Sequence, residues 1–381
     1  MSVKLSKAVV CFIAALCALA AAAGPEKPIK FHNAFEAPFE LTGFPWRGPN
    51  GELRRLPMSI GPGDLFREAE RLVWHSAGGE VRFRTSSDRV IVRAELYYVS
   101  DMNHMTRNGS AGFAFYTDSR KGYSKFQRAA GLSPAQAKRG SGPNGSGRFQ
   151  FILNLNNGGK PRTVSIYMPL YSGVRKMEIG LEEGSLLLPP APRAVKDPIC
   201  FYGSSITQGC SASHPGNVYT TLLCRAVDAP QINMGFSSSA RGEQCVAKAI
   251  AGLKLAAFVM DYDHNAQSIQ QLQETHEAFF KTIREAQPNL PIIIVSGPRD
   301  GSHEPFRQRR DIIKATYDRA VAAGDKHVYF VDGLHFYDQP GMPPIPRDFT
   351  TVDNTHPTDL GFHLMYLKIL PVLKRALAEA E

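Results

Sequence analysis

The alternation of apolar and polar positions changes rhythm once along the chain. Between about residues 30 and 185 it approximates period two in short runs: Val81-Arg82-Phe83-Arg84, Val90–Leu96, Phe149–Leu155, Thr163–Met168 and Lys176–Leu181. In an extended chain that period sends alternate side chains to opposite faces, which suits half-buried strands. Gly, Asn and Ser clusters separate the runs, so residues 24–185 are expected to form a β-sandwich of the jelly-roll kind. Leu186–Pro198, LLLPPAPRAVKDP, is proline-rich and reads as a semi-rigid linker over 186–198. Beyond it the apolar runs become continuous, at Ile199–Tyr202, Ile232–Met234, Ala256–Met260, Ile292–Val295 and Val328–Val331. Amphipathic stretches such as Ile269–Ala286 and Arg310–Ala323 lie between them. Short, fully apolar strands alternating with helices predict a three-layer α/β domain over 199–381, with a five-stranded parallel sheet covered on both faces.

The N-terminus has a pattern of its own. Lys4 and Lys7 precede an apolar stretch from Ala8 to Ala22, and Ala21-Ala22-Ala23 offers a small-residue cleavage site. Met1–Ala23 therefore reads as a signal peptide, and the protein as exported, periplasmic or extracellular. The apolar stretch is shorter than the ~20 residues that span a bilayer, so no stable membrane insertion is expected. With 43% hydrophobic and 21% charged residues, a disordered, collagenous or coiled-coil chain is excluded.

The net charge of +9 is uneven: residues 26–195 hold 24 basic and 15 acidic side chains, residues 196–381 hold 18 and 20. Within the basic half, Ser119–Arg148 carries Arg120, Lys121, Lys125, Arg128, Lys138, Arg139 and Arg148 and no acidic residue. It reads as a solvated loop or as a patch for an acidic polysaccharide; an exported protein is not expected to meet nucleic acid. Four cysteines remain after the leader: Cys200, Cys210, Cys224 and Cys245. They allow three complete pairings, or stand as buried thiols. No CxxC pair and no histidine at ligand spacing accompanies them, so a zinc site is not expected.

Candidate chemistry lies at strand ends, where parallel sheets place their sites. The first strand of the second half runs into Gly203-Ser204-Ser205-Ile206-Thr207-Gln208-Gly209, the second into Gly235-Phe236-Ser237, and the third into Asp261-Tyr262-Asp263-His264-Asn265. Asp353-Asn354-Thr355-His356-Pro357 precedes the last helix. The absence of Gly-x-x-x-x-Gly-Lys excludes a P-loop.

Together these blocks resemble those of SGNH, or GDSL-type, hydrolases. Ser205 stands in the place of the nucleophile, Gly235 in the second block, Asn265 in the third, and Asp353 and His356 in the fifth. More narrowly, the chain resembles exported SGNH esterases whose N-terminal domain bears a Gly-x-Asp-Leu-Tyr motif. Gly112-Phe113-Ala114-Phe115-Tyr116 stands there, with Ala114 for Asp and Phe115 for Leu. Ser204 replaces the usual Asp, Ser238 the second Gly of block two, and Asp263 the Gly of block three.

The resemblance implies a serine esterase with no metal or cofactor. Ser205 attacks, His356 serves as base, Asp353 orients it, and the oxyanion hole comes from the Ser205 and Gly235 N–H groups and the Asn265 amide. By analogy the substrate is an O-acetylated carbohydrate or glycan. A lipid-type esterase or thioesterase on the same triad is the nearest alternative, and an inactive glycan-binding module the next. Ser204 competes with Ser205 on residue type alone, and Asp332-Gly333-Leu334-His335 is a second Asp-x-x-His. Pro357 after His356 suits the first turn of a helix and favours the later pair. Asp261, Asp263 and His264 are expected as a hydrogen-bonded strand-end cluster, and Asn265 has a second reading as a helix cap. His214, Asp263, His264, Arg299 and His104 are weaker candidates for contact with substrate.

Overall fold

The computed structural model describes residues 27–380 except 62, 66, 67, 98, 101, 119–124, 133–146, 300, 339, 340, 342 and 344. The leader 1–23 and most of the basic segment 119–148 thus lie outside the described residues.

Two antiparallel sheets build the first half. One runs in the order Ile29–Asn33, Gly173–Glu182, Arg89–Tyr97, Gly147–Asn154. The other orders Leu187–Leu188, Glu80–Thr85, Arg162–Tyr167, Gly112–Thr117 and Lys125–Gly131, with Glu40–Thr42 also on Glu80–Thr85. Phe83, Val92, Phe113, Phe149, Val164 and Ile179 fill the space between them. Lys125, Arg128 and Arg148 of the basic segment fall on strands at the sheet edges, where charge discourages pairing with a stray strand. The segment expected as a linker is tied down instead. Leu187–Leu188 adds a short strand to the second sheet, and Arg193 reaches Glu80 at 2.6 Å.

In the second half, β1 (Ile199–Gly203), β2 (Gln231–Gly235), β3 (Ala257–Asp261), β4 (Ile292–Val295) and β5 (Val328–Val331) form one parallel sheet in the order β2-β1-β3-β4-β5. Alternate residues feed opposite cores. Cys200, Tyr202, Phe258, Met260, Ile292 and Ile294 meet the helices of one face. Ile199, Phe201, Val259, Ile293 and Val295 meet those of the other. The longer helices are α1 (Tyr219–Val227), α2 (Gln244–Ala251), α3 (Ile269–Ala286), α4 (Glu304–Ala322) and α5 (Asp359–Ala378). Ser268 caps α3 by accepting the Gln271 N–H at 3.0 Å, and Leu272, His276, Phe279, Phe280 and Ile283 mark its buried stripe.

The halves share their interiors. Leu56, Leu72 and Val73 pack into one core of the parallel sheet, and Ala77, Met105, Leu170 and Tyr171 into the other. The four cysteines are free thiols. Among the described residues no helix is long and apolar enough to cross a membrane.

Candidate active site

A helical turn over Ser205–Gln208 follows β1 and carries the candidate nucleophile. Ser204 caps it, its hydroxyl accepting the Ile206 N–H at 3.1 Å, and Gly209 ends it in the left-handed region (φ 106°). At Gly203 a Cβ would collide with Thr207 Oγ1 and the Asp261 carbonyl, so glycine is what allows the turn to close.

Ser205 Oγ lies 2.9 Å from His356 Nε2, and His356 Nδ1 lies 2.7 Å from Asp353 Oδ2. The other carboxylate oxygen accepts the backbone N–H groups of Thr355 at 3.1 Å and His356 at 2.7 Å. Asn354 takes a left-handed φ of 63° to close this turn, and Arg347 donates to its side chain at 2.6 Å and its carbonyl at 2.7 Å. The carboxylate is therefore fixed before it orients the ring. With Nδ1 as donor to Asp353, Nε2 presents its lone pair to the serine hydroxyl.

Burial would push His356 down, but the Cys210 sulfur and the Asp353 carboxylate outweigh it and bring the imidazole up to about 9. Burial would raise Asp353, yet the His356 N–H groups hold it below the usual carboxylate value. Ser204 stays in its cap. Asp332 pairs with Arg310 at 2.8 Å and His335 with Asp338 at 2.7 Å, so the second Asp-x-x-His is committed elsewhere.

The expected oxyanion donors divide. Ser205 begins its helical turn, where the backbone N–H has no partner within the helix. The Asn265 amide spends one hydrogen on the Phe236 carbonyl at 3.0 Å and retains a second. Gly235 needs correction: its N–H is given to Asn233 Oδ1 at 2.9 Å. What demands glycine there is close approach, because a Cβ would meet the Gln208 backbone. Three residues on, Ser238 adopts a left-handed φ of 59°, and its N–H meets no acceptor among the described residues.

The weaker candidates also separate. Asp263 is buried against Arg309 at 2.7 Å and accepts the Gly297 N–H at 3.2 Å, so it is an internal counterion rather than a substrate contact. Asp261 accepts from Thr207 Oγ1 at 2.9 Å and the Tyr219 hydroxyl at 2.8 Å, while burial raises it to about 7. His214 stacks on Phe126 at 4.9 Å, and its Nδ1 accepts the Gly216 N–H at 3.2 Å. It makes no contact with the triad side chains.

Burial, then Arg299, holds His264 down to about 3, with Nε2 unpartnered. Arg299 lies over the Phe306 ring at 4.7 Å. Of these weaker candidates, His104, from the first half, is the one whose ring meets a triad side chain. It stacks on His356 with centroids 5.5 Å apart, and its Nε2 lies 3.2 Å from Cys210 Sγ.

Other parts of the site were not expected. Cys210 follows Ser205 by five residues and is buried beside His104. The Tyr171 hydroxyl donates to the Ser205 carbonyl at 3.5 Å. Gln208 donates to the Leu170 carbonyl at 3.0 Å, contacts His75 at 3.3 Å and accepts the Ser237 N–H at 3.0 Å. Arg55, fully buried, donates to the carbonyls of Asn233 at 3.1 Å, Gly235 at 2.7 Å and Leu72 at 2.5 Å. The five-residue step from Ser205 to Cys210 was visible along the chain; the contacts of Tyr171 with Ser205, of Gln208 with Leu170 and His75, and of Arg55 with Asn233 and Gly235 cross from one half to the other.

Known proteins resemble this arrangement over nearly all of the chain. The GDSL-like lipase/acylhydrolase family model matches residues 196–374, and that for the N-terminus of SGNH-hydrolase-type esterases matches 29–187. No curated relative matches. A GDSL-like lipase structure from Bacteroides ovatus superposes with a TM-score of 0.76 at 25% identity, covering 92% of this chain and 98% of that one. The salicylyl-acyltransferase SsfX3 of a tetracycline biosynthetic pathway gives 0.69 at 16% identity, over 92% and 97%. An acetyl xylan esterase from Butyrivibrio proteoclasticus gives 0.58 at 13%, over 92% and 99%. The last two likenesses carry the fold. The matched segments, taken with the Bacteroides structure, show that the chain belongs to the GDSL-like lipase/acylhydrolase family and bears the N-terminal domain of SGNH-type esterases.

Proposed function

We propose that the protein is an exported serine esterase that removes acetyl groups from an O-acetylated carbohydrate or glycan. The observation that carries this reading is the hydrogen-bonded line from Ser205 Oγ through His356 to Asp353. His356 Nε2 takes the hydroxyl proton as Ser205 attacks the ester carbonyl, and Asp353 steadies the imidazolium that forms. The Ser205 N–H and the second Asn265 N–H receive the oxyanion. His356 then returns the proton to the leaving alcohol, and water repeats the sequence on the acyl-serine.

Ser205 exposes only 7% of its surface, which suits a short acyl group. Structural likeness to an acetyl xylan esterase, and to a family two carbohydrate esterase solved with cellohexaose, supports a carbohydrate as the alcohol. The basic segment 119–148 is our candidate for contact with an acidic polysaccharide.

The test is acetate release across acetylated polysaccharides, alongside p-nitrophenyl ester hydrolysis at several chain lengths. Wild type should prefer acetyl, and Ser205→Ala should lose roughly 10,000-fold or more in kcat. A wild type inactive on every ester removes the esterase reading. Full activity in Ser205→Ala with loss in Ser204→Ala reassigns the nucleophile.

A further inference from the structure

We propose that His104, Cys210 and His356 form a binding site for a thiophilic divalent cation such as zinc, and that an ion bound there silences Ser205. One ligand atom from each residue lies within 4.8 Å of the other two. Tetrahedral zinc, with bonds of about 2.3 Å to sulfur and 2.0 Å to nitrogen, places such ligands about 3.5 Å apart. His104 Nε2 and Cys210 Sγ already stand at 3.2 Å.

The outer ring of contacts points the same way. His104 Nδ1 faces Asn103 Oδ1 at 3.0 Å, and His356 Nδ1 faces Asp353 Oδ2 at 2.7 Å. A zinc-bound histidine donates its other ring N–H to an oxygen in this manner, which leaves each Nε2 lone pair for the metal. The set is two imidazoles and one sulfur, soft enough to select zinc over magnesium or calcium. On binding, Cys210 gives up its thiol proton to solvent and becomes the thiolate ligand. The fourth position is left for water or for Ser205 Oγ, which lies 2.9 Å from His356 Nε2.

The consequence follows from the lone pair. His356 Nε2 cannot both hold an ion and accept the serine proton, so occupancy and attack exclude one another. This half of the inference rests on the esterase reading; binding does not. The ligands also come from both halves of the chain, His104 from the first and the other two from the second, so the ion would fasten one half to the other.

The test uses the full chain after removal of metal with a chelator. Titration with Co²⁺ should give a thiolate-to-cobalt charge-transfer band that saturates at one equivalent and is displaced by Zn²⁺. Cys210→Ser should lose the band. His104→Ala should weaken binding at least ~10-fold, and Asn103→Ala roughly 10-fold. Melting curves check that each variant is folded, and Asn103→Ala leaves all three ligands in place should either of the others fail to fold. A wild type without the band, or a folded Cys210→Ser that keeps it, overturns the site. Hydrolysis of p-nitrophenyl acetate should fall with the same Zn²⁺ midpoint as the band and return with chelator. Full activity at saturating Zn²⁺ overturns the silencing. A chelated chain with no esterase activity removes the esterase reading and the silencing with it, while the cobalt spectrum still decides the site.

Discussion

The two walls of the candidate site are built differently. On the parallel-sheet side each chemical group is held by its own short stretch of chain: Ser205 by a capped helical turn after β1, and Asp353 and His356 by one tight turn before α5. On the sandwich side nothing local would do. His104, Tyr171 and Arg55 reach the site because Met105, Leu170 and Leu72, their neighbours or contacts, are packed into the cores of the parallel sheet. The first wall is specified by short-range backbone chemistry, the second by a shared interior. The N-terminal half therefore shapes the site instead of merely accompanying it.

The comparison predicts different failures on the two sides. Asp353→Asn should lower kcat by roughly 10,000-fold, because an amide facing Nδ1 favours the wrong imidazole tautomer. Its melting temperature should change little, since the Asp353 side chain is 40% exposed. Arg55→Met should fail the other way. Burial lowers this guanidinium to about 9, and three carbonyls and the Phe236 ring, 4.6 Å away, are what hold it. Each buried carbonyl left without a donor costs about 1–3 kcal/mol. Thermal melting and steady-state kinetics should show stability and activity falling together, because Arg55 grips the carbonyl of Gly235. A large drop in melting temperature with unchanged kcat would mean that the halves are separable after all.

The same division explains what could be read along the chain. The five apolar runs of the second half each fall on a strand of the parallel sheet, and α3 spans the amphipathic segment Ile269–Ala286. The turns around Ser205 and His356 were legible because their hydrogen bonds close within a few residues. The strand Gly112–Thr117 was not, because it is buried on both sides and shows no alternation. Phe113 and Phe115 enter the sandwich core, while Tyr116 turns to Gly216 and lies under Arg225. Gly235 matched a block by position, yet its N–H is spent on Asn233, two residues before it. Cys210 and His104 meet across 106 residues, a separation no motif spacing reveals.

A smaller effect tests whether Cys210, the sheet-side residue that His104 of the sandwich wall touches, tunes the chemistry. In its proposed role of base His356 works when neutral, so activity should rise with pH through its value of about 9. Cys210→Ser removes the strongest of the contacts that raise it. The ascending limb of kcat/KM against pH should then move to lower pH, giving the variant relatively more activity near neutrality. The folding linkage has the matching sign. A histidine raised in the folded state stabilises fully below about 6.5, and that contribution is lost as pH rises through about 9. Cys210→Ser should shrink it. An unmoved pH profile would assign the elevation to Asp353 alone.

The smallest expected effect concerns Ser204, and it sharpens the first wall. Its hydroxyl satisfies the Ile206 N–H at the start of a four-residue helical turn. Such a turn has no stability of its own, since nucleation costs more than one hydrogen bond returns. Gln208, tied to Leu170, His75 and Ser237, holds its far end. Ser204→Ala should therefore cost about 1 kcal/mol, seen as a melting shift of about 2 °C, and leave kcat/KM within roughly tenfold of wild type. Ser204→Thr and Ser204→Asp keep an acceptor oxygen and should recover the stability. If Ser204→Ala instead abolishes activity while Ser204→Thr restores it, the cap is what aims Ser205. The sheet-side wall then depends on a single hydrogen bond and not on the three contacts of Gln208.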